Sequence, residues 1–182
     1  MFRKILLAMV VGTGLSGGAN LARAGDKNQD VQKLFDEEGK LRDAKKYEEA
    51  IAVLDKLLLL DPKNSYAWSE GAYIFNEMEK YDAAVQAGEK ALELNVDNSD
   101  AWRELGYALM KLKRHADANK ALTSAIEKNP RNWFAYTYLA ENYEKQGKFT
   151  AATDTRDRMA KEKKRAEMEA AKKNAEKDDS QK

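Results

Sequence analysis

Apolar residues along this chain recur at helical spacing, and their stripes come in pairs. In residues 99–132 they fall at Trp102, Leu105, Gly106 and Leu109, then at Ala118, Ala121, Leu122, Ala125 and Ile126. Each set marks one face of an amphipathic helix. The break between them, Lys111 to His115, is short and polar, which predicts an antiparallel helix pair joined by a tight turn. Strand-type alternation of apolar and polar residues is absent. The predicted fold class is all-α.

The pair itself repeats with a step of 34 residues. Ala50, Ala84, Ala118 and Ala152 keep that step, and so do Tyr47, Tyr81, His115 and Phe149 just before them. Trp68, Trp102 and Tyr136 form a third column with Leu34 in the earlier slot; Pro62 and Pro130 form a fourth with Val96 between. The small residue at the start of each second helix lets the pair approach closely. The aromatic before it is expected to fill the gap at the turn, and the Trp/Tyr column to stack one repeat on the next. Asp61-Pro62 and Asn129-Pro130 stop the second helix, because Pro lacks the donor and restricts its predecessor. Ser65 and Ser99 stand where the next helix needs an N-cap.

Trp102-x-x-Leu105-Gly106, Ala118, Leu122, Ala125 and Pro130, with Tyr47-Glu48-Glu49-Ala50-Ile51 and Asp61-Pro62, resemble the tetratricopeptide repeat. The resemblance implies a right-handed α-solenoid of stacked antiparallel helix pairs, about 3.5 to 4 repeats. The expected units are 31–64, 65–98, 99–132 and a closing unit 133–164, after a lead at 25–30 and before a charged, partly disordered tail at 165–182. Departures from the pattern suit a solenoid with capped ends. The first unit has Glu37 and Glu38 where Leu and Gly are usual, and the last loses its pattern at Arg156. The second has Gly88 where a large apolar residue is normal, a site expected to pack loosely or to admit another backbone.

The start of the chain reads as an address. Arg3 and Lys4 precede an apolar run from Ile5 to Val11, and Ala22-Arg23-Ala24 offers a small-x-small cleavage site. A cleavable signal peptide at 1–24 is expected, and with it a periplasmic or secreted product. The run is too short and Gly-rich for a membrane span, which needs about 20 apolar residues, so no stable membrane insertion is expected after cleavage. Gly12-Thr13-Gly14-Leu15-Ser16-Gly17 spells a dinucleotide fingerprint, but it lacks the preceding strand and lies inside the segment to be removed.

Composition narrows the chemistry. The 182 residues hold 32 Lys+Arg against 31 Asp+Glu, a net +1, which argues against nucleic-acid binding. Losing Arg3, Lys4 and Arg23 with the signal brings the net charge to −2. Zero Cys and 1 His remove disulfides, thiol chemistry, bacterial lipidation and an ordinary zinc site. His115 occupies the turn column as a packing residue, and no nucleophile–base pair or phosphate loop stands out. No catalytic residue, metal or cofactor is expected.

Binding is the better prospect. Solenoids of this family hold peptides against the first helix of each pair. Placing the family pattern here turns Phe35, Arg42 and Asp43 to the groove, then Tyr66, Tyr73, Asn76 and Glu77. Arg103, Tyr107, Met110 and Lys111 follow, then Phe134, Thr137, Glu141, Glu144 and Lys145. Phe35, Tyr66, Tyr73, Arg103, Tyr107, Lys111 and Phe134 are the expected partner-binding residues, since aromatics and Arg dominate interface energies. One subclass of the family clamps the C-terminal carboxylate of cytosolic chaperones with Lys and Asn. The equivalent positions are Phe35, Gly39, Glu70, Asp100 and Glu104 in one register, and Ser69, Tyr73, Glu104, Phe134 and Tyr138 in the next; neither makes a cationic cradle. The expected function is a non-enzymatic scaffold that takes a peptide segment of a bacterial cell-envelope protein. The alternative is a structural protein that self-associates into homo-oligomers.

Overall fold

The computed structural model describes residues 24–179, and among them the regular secondary structure is helical throughout. The helices are α1 (Ala24–Asp43), α2 (Tyr47–Leu60), α3 (Ser65–Glu77), α4 (Tyr81–Leu94), α5 (Ser99–Lys111), α6 (His115–Lys128), α7 (Trp133–Lys145) and α8 (Phe149–Asp179). Consecutive helices pack on one another, and α3 also touches α5, as α5 touches α7. The odd-numbered helices thus form one layer and the even-numbered helices the other, an α-solenoid. The expected signal segment and its glycine motif lie outside the described residues, except that Ala24 opens α1. The expected lead is helical as part of α1.

Two kinds of turn alternate. Within each pair, the chain reverses through a left-handed residue: Lys45 (φ 57°), Glu79 (57°), Lys113 (61°) and Gly147 (71°). The next residue's N–H then closes the helix end, Lys46 onto Leu41 at 2.8 Å and Arg114 onto Leu109 at 2.9 Å, a Schellman-type cap. Between pairs, the N-caps are Asn64, Asn98 and Asn132, which accept from the N–H of Ala67, Ala101 and Ala135 at 3.0, 3.0 and 3.3 Å. This corrects the expectation for Ser65 and Ser99. Those hydroxyls instead donate to the carbonyls of Ala91 and Ala125, both at 3.0 Å. They also accept from Asn98 and Asn132, both at 2.8 Å, so these two inter-repeat turns are bonded to the start of the preceding inner helix, whereas Asn64 donates to Asp61 within its own turn at 3.0 Å.

The core runs between the two layers. Ala50, Ala84, Ala118 and Ala152 are buried, as are Trp68 and Tyr136. Trp102 is half-buried and donates its indole N–H to Val96 at 2.8 Å. Gly106 is the tightest approach: a Cβ there would meet Leu122 Cγ at 2.6 Å. Gly88 admits the α5 backbone, with a Cβ meeting Leu105 Cβ at 3.2 Å, so of the two expectations for this site close approach is the one realised.

Phe149 departs from its column. It is 68% exposed; among the described residues no further helix pair packs over it. Helix α8 continues unbroken across the expected boundary at 164/165. Lys163 lies over the Trp133 ring at 5.6 Å, and Arg131 pairs with Glu169 at 2.6 Å, which holds the charged stretch against the last turn. Among the described residues, no helix is long and apolar enough to cross a membrane.

Candidate functional site: the strip across the inner helices

Side chains of α1, α3, α5 and α7 meet in a continuous strip. At its N-terminal end Phe35 packs edge-on to Tyr66, with ring centroids 5.1 Å apart. Arg42 stands over Tyr73 at 5.8 Å and pairs closely with Glu70. Farther along, Arg103 stands over Phe134 at 6.0 Å, Tyr107 packs on Tyr138 at 4.7 Å, and Lys111 lies over Tyr107 at 5.2 Å. All seven expected partner-binding residues lie on this strip. Tyr66 (48% exposed) and Phe134 (63%) present the most ring surface. Phe35, Tyr73 and Tyr107 are half-buried and also pack on the core.

The polar groups differ more from expectation. Asn76 and Met110, expected to face the groove, are buried: Met110 joins the core, and Asn76 donates to the carboxylate and carbonyl of Glu104 at 2.9 and 3.0 Å. Both stand near the ends of their helices, where the packed inner pair α3 and α5 closes over them. Arg103 is bonded to Asp100 at 2.5 Å and to Glu104 at 2.7 Å, so most of its hydrogen-bonding capacity is used within the chain. The aromatic pattern left Glu38 out of the strip, and Glu70, Glu104 and Tyr138, named only as positions without a cationic cradle, out of the binding set. Glu70, Glu104 and Tyr138 do share one column of the 34-residue step, a signal that was available.

Burial sets the electrostatics of the strip. Glu38 is 2% exposed, and its carboxyl is raised to about 7 by that burial and by the Glu70 charge, against the pull of Arg42. Glu104 is also raised by burial, although Arg103 and Asn76 oppose it. The phenols of Tyr66 and Tyr138 are pushed up to about 12, first by burial and then by the neighbouring carboxylates Glu70 and Glu104. These groups offer aromatic faces and acceptors on a rigid frame, an arrangement suited to holding another chain.

His115 lies away from the strip. Its ring nitrogen Nδ1 sits 2.6 Å from the side-chain oxygen of Asn142, and its carbonyl accepts from the same residue at 2.9 Å. It therefore ties α6 to α7. Among the described residues, no cluster of His, Cys, Asp or Glu is placed to hold a metal ion.

Sequence models described as tetratricopeptide repeat match residues 40–95 and 99–132. No curated protein matches the chain. Among solved structures it is similar to MamA, with a TM-score of 0.66 at 22% identity over 76% of this chain and 81% of that one. It is also similar to residues 41 to the end of MamA from Desulfovibrio magneticus RS-1, at 0.64 and 17% over 74% and 76%. The first such domain of Spaghetti (RPAP3), solved bound to the HSP90 peptide SRMEEVD, matches at 0.61 and 24% over 65% and 94%. At these identities the likeness shows the fold.

Proposed function

Because this chain belongs to the tetratricopeptide repeat family, we propose that it is a non-enzymatic interaction scaffold of the bacterial cell envelope. In this reading a segment of a partner protein lies along the strip from Phe35 to Phe134. The observation that carries it is the pair of ring clusters that join α1 to α3 and α5 to α7, in which Tyr66 and Phe134 leave much of each ring open to solvent. Exposed aromatics arranged in a line mark an interaction surface. The signal-like start of the sequence supports the envelope assignment, and the peptide-bound RPAP3 domain supports a peptide as the occupant. Tyr73 and Tyr107 hold the helices in register as well as facing the occupant, so Tyr66 and Phe134 are the cleaner probes. The test is capture of partners from a periplasmic extract by the wild-type chain and by the Tyr66→Ala/Phe134→Ala double variant. A band retained by the first and reduced about tenfold or more in the second, at equal helical content, is the expected result; equal bands overturn the assignment.

One observation favours a second reading, self-association. Between Arg156 and Arg165, α8 exposes Arg156, Arg158, Lys161, Lys163, Lys164 and Arg165 beside only Asp157 and Glu162, a net charge opposite to the carboxylates of the strip. Mass that rises with concentration in light scattering, and falls back in high salt, would support it.

A further inference from the structure

The N-terminal end of the strip holds an open cavity of about 320 Å³, bordered by Phe35, Asp36, Glu38, Gly39, Arg42 and Tyr66. Small-molecule pockets span about 300–1,000 Å³, so this one is sized for a single long side chain. Its chemistry is one-sided. Arg42 is committed to Glu70, and its nearest approach to Glu38 is 3.8 Å, outside hydrogen-bonding distance. The second oxygen of Glu38, Oε1, is buried and has no hydrogen-bond partner. One guanidinium thus stands among Glu38, Glu70, Asp36 and Asp43, and the cluster as a whole is negative.

Buried acceptors are ordinarily satisfied, and an acceptor left open beside a cavity points to a donor brought in from outside. The walls say which kind. Farther along the strip, Tyr73, Phe134 and Tyr107 each have a cation of this chain over the ring. The Phe35–Tyr66 pair offers the same kind of face at the mouth of the cavity. A bare divalent ion would want several oxygen ligands, whereas aromatic walls with a carboxylate floor suit an organic cation on an alkyl stem.

We propose that this cavity is the subsite for a lysine or arginine side chain of the partner segment, with Glu38 accepting from the cationic head and Phe35 and Tyr66 flanking the stem. The inference rests on the peptide-binding reading above and adds the chemistry of the occupant: a basic side chain at one end, apolar or aromatic residues along the rest. An acidic peptide such as the one bound in the RPAP3 structure is of the wrong sign for this end of the strip.

The probe is a library of displayed random dodecapeptides, selected in parallel on the whole chain and on its Glu38→Gln and Phe35→Leu variants. Wild type should enrich peptides with Lys or Arg at one fixed position. Glu38→Gln should lower that enrichment about tenfold while the apolar positions persist, and Phe35→Leu, a change at the cavity mouth, should lower it several-fold. Enrichment of apolar positions without a basic one, or a basic preference untouched in both variants, overturns the cationic subsite and leaves the groove assignment standing. Failure of the wild type to select any peptide overturns both.

Discussion

Glu38 on α1 and Glu104 on α5 are both carboxylates drawn out of water on the inner layer, and the molecule treats them differently. Glu104 is surrounded: Asn76 donates to it at 2.9 Å and Arg103 at 2.7 and 2.8 Å. Glu38 is as deeply buried but has only the loose Arg42 contact, and one of its oxygens is unpartnered. Burial is common to both, so burial is not what marks a binding group. Completion of the hydrogen bonds makes Glu104 part of the frame, and their incompleteness makes Glu38 a place for something else.

The largest effect should come from breaking the completed site. Arg103→Met keeps the apolar stem of the side chain but leaves the Glu104 carboxylate without its cation, with Asn76 still donating, and urea unfolding at pH 7 should show a loss of about 3 kcal/mol. A loss well under 1 kcal/mol would mean that the two acids are equivalent. The second effect is one of pH. The folded-state pKa of Glu38 is raised from 4.5 to about 7, so the native state binds the extra proton between those values, and stability falls as pH rises from 4.5 to 7. The decline should amount to about 2 kcal/mol and be absent from Glu38→Gln, compared in the same buffers. Identical pH profiles would show that Glu38 is satisfied after all. The smallest effect is expected for Arg42→Met, about 1 kcal/mol at pH 7: it removes the close partner of Glu70, which keeps some access to water, and Glu38 can take a proton when its loose cation is gone. Carboxyl titration by NMR in that variant should find Glu38 titrating higher still.

Much of the fold was legible in the sequence because its causes are local and repeated. Each alanine of the 34-residue column faces a partner helix, and each is buried. The stop before each inner helix was legible too, but its chemistry was misread. Ser65 and Ser99 are good cap residues by type, as are Asn64, Asn98 and Asn132 beside them. Asn98 and Asn132 carry both an acceptor for their own helix and a donor for the serine of the preceding inner helix, and that second contact is not a local property. Phe149 shows the same limit: its column continues, but among the described residues no following helix pair covers it.

The strip was legible by family position in its aromatics and not in its acids. A tyrosine at a groove slot reads the same whether it is half-covered or open, so Tyr66 and Tyr73 could be placed without knowing their exposure. Glu38 reads as an ordinary solvated helix residue in a chain with 35% charged residues, and Glu70 and Glu104 read only as positions that lack a cationic cradle. The sequence by itself determined the helix pairs and their period, because amphipathic spacing and a repeated 34-residue step are one-dimensional facts. Only the tertiary structure decided which carboxylates were desolvated and which of those were left incomplete. Desolvation depends on what the neighbouring repeat lays over a side chain 28 residues away, as Asn76 does for Glu104 and Arg42 for Glu70, and no local pattern records it.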